Sequence, residues 1–224
     1  MCVPCRLGGL VLAMGLTWSC AGPTGPSPAV PADPALPGLV ECAAFSEPAS
    51  SPYVLPYAVG QGYRVNRTFE HYTALNGGVG LYAIDFGLPM HTPVHAARAG
   101  VVVAVEERFS DDDRADFHEN WVMVRHADDT VARYIHLTRD GALVDVGDVV
   151  RQGQVVGLSG NSGPSNGPHL HFDVQTCGPN LPPGYNRLPC GSTVPVSFRN
   201  TERHGCGLDA RRTYTALPFE PESR

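Results

Sequence analysis

The sequence predicts an all-β domain of antiparallel sheet, barrel-like, with Gly-rich loops around a cleft, behind a signal segment and a Pro-rich linker. Three observations carry this. Gly and Pro together supply 25 and 21 of the 224 residues, a composition of turns and short strands rather than long helices. β-branched runs recur between turn residues at short spacing. After the leader, no apolar periodicity supports an amphipathic helix longer than three turns.

The organisation reads in order as 1–20 signal segment, 21–49 linker, 50–200 folded domain and 201–224 C-terminal extension. In the first segment one charge, Arg6, precedes an apolar run from Leu7 to Trp18, too short to span a bilayer but suited to export. The run ends at Ser19-Cys20-Ala21, which resembles a bacterial lipoprotein cleavage site, although Thr17 stands where that pattern prefers Leu. Two outcomes stay open: lipidation of Cys20, or plain cleavage nearby. The chain is expected in the periplasm or cell envelope, as a membrane-anchored lipoprotein if Cys20 is lipidated. Pro, Ala, Gly and Ser dominate the linker, which cannot bury a core and reads as a tether.

Within the domain, Val101-Val102-Val103-Ala104-Val105 follows Gly100 as a strand. Trp121–Arg125 and Val131–Ile135 flank the turn Ala127-Asp128-Asp129-Thr130 as a hairpin. Val144 to Val156, punctuated by Gly147 and Gly153, gives short strands and tight turns. His169–Gln175 and Val194–Phe198 complete the set of expected strands. The acidic stretch Ser110–Glu119 lacks the central Gly and regular ligand spacing of a calcium-binding hand, so it reads as a solvated hairpin loop.

Net charge is −6, all 16 basic residues are Arg, and the pI is near 5.8, which speaks against non-specific nucleic-acid binding. Of seven Cys, Cys2 and Cys5 lie in the leader, Cys20 is the candidate lipidation site, and four remain. In an exported chain four Cys suggest two disulfides, with three pairings open. The preferred pairing is Cys177–Cys190 across a Pro/Gly-rich loop and Cys42–Cys206 across the ends of the domain.

Histidine spacing makes the sequence chemically specific. His169 and His171 alternate on one strand and so share a face, while Leu170 and Phe172 turn to the other. The long loop Ser159–Pro168 leads into them, rich in Gly, Ser and Asn. Asp85 sits inside the apolar run Tyr82–Phe86, where a carboxylate requires a metal or a cation beside it. His136 emerges where the hairpin ends. Two imidazoles and a carboxylate with an open fourth position would make a catalytic zinc site. His118, His126 and His204 read as surface residues, and His95 as structural.

The stretch from about Tyr53 to Val174 resembles the lysostaphin-like zinc metallopeptidases, the peptidoglycan endopeptidases of bacterial cell walls. The resemblance rests on the order and spacing of Tyr82–Phe86, Thr92-Pro93-Val94, Ala96–Val102, Tyr134–Leu137, Val146–Gln154, Ser159–Gly163 and Gly167–Phe172. It implies one zinc ion held by His71, Asp85 and His171, with His136 and His169 as the catalytic pair. Tyr134 and Asn161 are candidates to line the substrate cleft. His71 precedes Asp85 by fourteen positions, across Asn76-Gly77-Gly78-Val79-Gly80, where the best-known members have four. His91 stands in a turn where the family usually has Gly. The implied activity is zinc-dependent endopeptidase action on cross-links or stems of peptidoglycan, by a monomeric protein. The rival is a non-enzymatic envelope protein that binds peptidoglycan and activates amidases.

Overall fold

The structure, a computed structural model, describes residues 42–68, 80–176 and 193–221. The signal segment, most of the linker, and the positions His71, Cys20, Cys177 and Cys190 lie outside the described residues. Eleven strands are described: β1 Gly62–Thr68, β2 Ile84–Phe86, β3 Pro93–His95, β4 Gly100–Glu106, β5 Trp121–Arg125, β6 Thr130–Ile135, β7 Leu137–Ala142, β8 Val149–Val150, β9 Val155–Ser159, β10 Leu170–Thr176 and β11 Thr213–Thr215. The helical elements among the described residues are two short 3-10 turns, Cys42–Ala44 and Pro48–Ser50, so the domain is all-β.

Eight strands form one antiparallel sheet in the order β11-β1-β2-β10-β6-β5-β4-β8, and β3-β9-β7 form a second. Period-2 alternation decides what each face buries. Ile84 and Phe86 on β2, Leu170, Phe172 and Val174 on β10, Ala132 and Tyr134 on β6, and Val122 and Val124 on β5 all enter the main core. The opposite face of the central strands carries the polar row treated below and a smaller apolar cluster of Ala104, Trp121, Met123, Val131 and Ile135. A strand buried on both sides has nowhere to put a charge without a partner. Arg133 and Asp173, Cα partners on β6 and β10, accordingly meet in a two-pronged pair.

The domain's ends are integral to it. The segment expected as a C-terminal extension supplies β11, and its Leu208, Tyr214 and Ala216 are buried in the main core. Tyr57 donates its hydroxyl hydrogen to the Tyr214 carbonyl at 2.8 Å. Cys42 and Cys206 are joined by a disulfide, with Cα atoms 4.6 Å apart. Val194–Phe198, expected as a strand, forms none; it packs Val196 and Phe198 inward, and meets the sheet through the Val194 N–H, which donates to the Val174 carbonyl at 2.8 Å, beside an isolated bridge at Thr193. Pro195 has no N–H to give a ladder there.

Candidate active site

Sheet register assembles the site. Asp85 on β2 and His171 on β10 are Cα partners, and His171 pairs on its other side with Ile135 of β6. Directly opposed residues present side chains on the same face. Asp85 Oδ1 therefore lies 3.1 Å from His171 Nδ1. Gly160 bridges to His169, which brings the Gly/Ser/Asn loop against the same end of β10. His169 Nε2 stands 3.7 Å from Asp85 Oδ1.

His136 reaches the site by breaking the alternation of its strand. Its φ is 65°, a left-handed conformation that a non-Gly residue adopts at some cost. The turn redirects its ring to within 4.5 Å of the His169 ring and 6.0 Å of the His171 ring, centroid to centroid. The same break separates Tyr134 from it. Tyr134 is fully buried in the main core, and its hydroxyl oxygen accepts the Ala97 N–H at 2.8 Å. The expectation that Tyr134 lines the cleft is thus corrected: strand parity holds only up to Ile135.

Tautomers follow from the acceptors. His136 Nδ1 lies 2.7 Å from the Ser162 carbonyl and His169 Nδ1 lies 2.9 Å from the Gly167 carbonyl. A carbonyl can only accept, so both rings donate to it from Nδ1. Burial, and then the neighbouring His169 and His171, push the His136 imidazole down to about 3, so it is neutral at pH 7. His171 is the opposite case. Burial pulls it down, but bonds to Asp173 and Asp85 outweigh this and carry it up to about 9. Its Nε2 donates to Asp173 Oδ2 at 3.0 Å. Burial would raise Asp173, yet the Arg133 charge beside it holds it well below the usual carboxylate range.

The surrounding loops hold this geometry. Asn120, fully buried, donates from Nδ2 to the carbonyls of Phe109 and Leu137, and its backbone N–H donates to Ser162 Oγ. Asp111 accepts from the Asn161 backbone N–H at 2.7 Å and from Thr138 Oγ1 at 2.5 Å. Arg114 donates to the Asn161 carbonyl. The acidic stretch is therefore a wall docked on the Gly/Ser/Asn loop rather than a freely solvated hairpin. Asn161's carboxamide lies 2.7 Å from Ser165 Oγ, which braces the loop leading to His169.

Of the three histidines expected at the surface, His126 and His204 are buried. His126 is 2% exposed, packed on Tyr53, with Nδ1 donating to the Ala99 carbonyl at 2.9 Å. His204 is also buried and accepts the Phe198 N–H at Nε2. His118 is half-buried, bonded to Asp113 and stacked on Phe109. His95 is structural, with Nδ1 on the Gly153 carbonyl at 2.8 Å. His91 is exposed in a left-handed turn, φ 60°.

An oxygen and a nitrogen donor 3.1 Å apart, one from each of two paired strands, suit a borderline metal such as zinc. The far nitrogen of His171 is already engaged by a carboxylate, as ligating imidazoles usually are. Among the described residues no three His, Cys, Asp or Glu side chains complete a metal-holding group. Asp173 and Arg133 were not singled out from the sequence, although an Asp two places after a candidate ligand on one strand must share its face.

Residues 80–183 match peptidase family M23. Peptidoglycan DD-endopeptidase ShyA of Vibrio cholerae is 35% identical over 111 residues, covering 50% of this chain and 24% of that protein. DD-carboxypeptidase/endopeptidase Mpg of Neisseria meningitidis is 34% identical over 128 residues, covering 57% of this chain and 26% of its own. A Buchnera aphidicola protein named an uncharacterized metalloprotease is 32% identical over 123 residues, covering 55% and 30%. The chain thus spans about a quarter to a third of the length of these curated relatives.

Proposed function

We propose, from the match of residues 80–183 to peptidase family M23, that the chain is a zinc-dependent endopeptidase hydrolysing peptide cross-links or stems of bacterial peptidoglycan. One observation carries the reading: the Asp85–His171 pair at 3.1 Å, with His136 and His169 gathered beside it and each anchored through Nδ1 by a loop carbonyl. A structural metal site would leave those two imidazoles without a task.

His71, Asp85 and His171 would hold one zinc ion. The chemistry zinc supplies when bound is Lewis acidity, which polarises a peptide carbonyl and brings the pKa of water toward about 7. The remaining work belongs to the chain. His136 and His169, anchored through Nδ1, divide two tasks at their Nε2 atoms. One accepts a proton from the attacking water and delivers it to the departing amine. The other, when protonated, donates to the oxygen on which charge develops. Fixed carbonyl acceptors keep both rings oriented before substrate arrives. The loop Ser159–Pro168 walls the cleft with small side chains, which suits thin, flexible peptides.

The names of the Vibrio and Neisseria relatives support a peptidoglycan substrate, and that of the Buchnera relative supports a metal. Export is supported by the apolar leader and the Cys42–Cys206 disulfide, which belongs to an oxidising compartment. A lipid anchor at Cys20 would hold the domain near a membrane.

The test is incubation of the purified protein with intact sacculi, with and without chelator. Release of cleaved peptides that stops with chelator and returns with zinc is expected. Metal-independent binding without released peptides would sink the enzyme reading in favour of an amidase-activating protein. Zinc analysis of His71→Ala tests the third ligand: unchanged metal content would remove His71 from the site.

A further inference from the structure

We infer that Asp173 and Arg133 are positioning residues for the metal site, acting through His171: Arg133 holds the Asp173 carboxylate in place, and that carboxylate fixes the His171 ring with Nδ1 aimed at Asp85. The inference rests on the zinc reading above and goes beyond it to two residues outside the proposed ligand and catalytic set.

The geometry is a chain of three side chains on adjacent strands. Arg133 and Asp173 are Cα partners, and both are nearly sealed, with side chains 4% and 0% exposed. Arg133 Nε donates to Asp173 Oδ1 at 2.8 Å and Nη2 donates to Oδ2 at 2.5 Å. That fork occupies both carboxylate oxygens and fixes the plane of the group. Oδ2 also accepts from His171 Nε2 at 3.0 Å. With Nε2 so engaged, Nδ1 is the nitrogen turned toward Asp85, at 3.1 Å.

A purely structural account explains this poorly. Burying an ion pair costs desolvation that its attraction only roughly offsets, and apolar residues of similar size usually serve stability as well or better. On β5 and β6 the neighbouring positions of that face are apolar, with Met123, Val131 and Ile135 in one cluster, while β10 carries His171, Asp173 and the buried Gln175. Arg133 alone interrupts the apolar positions of β6 on that face, and it does so opposite Asp173, the carboxylate that bonds the candidate ligand. A carboxylate behind a ligating imidazole fixes its tautomer and raises its donor strength, and its loss typically costs ten- to a hundredfold in metal affinity.

The test compares zinc dissociation constants of the wild-type chain, Asp173→Asn and Arg133→Lys by competition with a chromophoric chelator. Each variant is first checked for folding in the metal-free state by near-UV circular dichroism and thermal melting. Asp173→Asn is near-isosteric and is expected to raise the zinc dissociation constant by about ten- to a hundredfold with the metal-free fold retained. Arg133→Lys keeps the charge but loses the fork, and a smaller rise is expected. In proton NMR of the zinc-loaded wild type, an imidazole N–H slowed in exchange by its carboxylate acceptor should be visible, and shifted in Asp173→Asn. A folded Asp173→Asn that binds zinc as tightly as wild type overturns the inference and leaves the zinc reading intact. If Asp173→Asn does not fold, Arg133→Lys decides: weaker zinc binding supports the inference, an unchanged constant overturns it. A wild-type chain that binds no zinc overturns both.

Discussion

His136 and His169 differ in how they reach the Asp85–His171 pair, one by a left-handed backbone and one by a strand-end bridge, yet both are held through Nδ1 by a loop carbonyl. Neither ring needs the metal for its orientation. His136→Ala and His169→Ala are therefore expected to keep wild-type zinc content while kcat/KM for peptide release falls by about 10²- to 10⁴-fold. Zinc analysis beside the sacculus assay checks both halves; loss of zinc in either variant would move that residue into the coordination set. His126 makes a separate prediction, about stability. Burial, partly offset by its bond to Ala99, holds its folded-state value at about 4, against 6.5 when unfolded. As pH falls from 6.5 toward 4 the unfolded chain takes up the proton first, so the stability contributed above 6.5 is lost in that window. The loss is about 3 kcal/mol. In His126→Phe the difference from wild type in unfolding free energy should shrink correspondingly between pH 7 and pH 4, measured by denaturant titration. Position alone, beside a hairpin turn, made His126 look like a surface residue. What buries it is Tyr53, from a segment 73 residues upstream that no local pattern connects to it.

At the scale of elements, strand parity transmitted most of the site faithfully. The His-Leu-His alternation did place His169 and His171 opposite Leu170 and Phe172, because a strand buried on both faces keeps strict period 2. Parity failed at Tyr134 and His136, where positive φ resets the face, a feature that residue type does not reveal outside Gly and Asn. Loop chemistry was legible in outline only. Gly160 shows why Gly is required there: a Cβ would sit inside the Thr138 backbone and against Asp111. Gly160→Ala is expected to push the Ser159–Pro168 loop from its wall. Destabilisation of about 1–3 kcal/mol should accompany a loss of activity larger than stability explains. Melting temperature and peptide release on one preparation check this; wild-type activity would show that the wall is not needed. On the main-core side, Phe172→Ala should cost about 3–5 kcal/mol, since the ring is fully buried between Tyr134 and Phe198.

For the whole molecule, the two ends of the described chain close on each other around the sheet. Arg199 donates to the carbonyls of Ser51, Pro52 and Glu220 and to the Gln152 side chain, while the Cys42–Cys206 disulfide spans 164 positions of sequence. A cross-link that closes so long a loop restricts the unfolded chain strongly, worth about 2–5 kcal/mol. Reduction, or Cys42→Ser, should lower unfolding free energy by that amount while leaving zinc content unchanged, since the site is built on β2, β6 and β10 and their loops. Denaturant curves with and without reductant check it. Residues beyond 200 looked like an extension because they are largely polar, and the apolar ones are too sparse to announce a strand. They are kept by contacts to β1 and Tyr57, which only the closed fold creates.

The all-β class, the hairpin and the pairing of a buried Asp with an alternating His pair were determined by sequence alone, because each is a local consequence of residue type and period. Which face His136 takes, that Arg133 and Asp173 stand behind His171, and that His126 and His204 are interior were decided by the tertiary structure. Those outcomes depend on strand register and on backbone turns that join segments far apart in the chain. An i, i+2 pattern states that two side chains share a face; it does not state what stands opposite them.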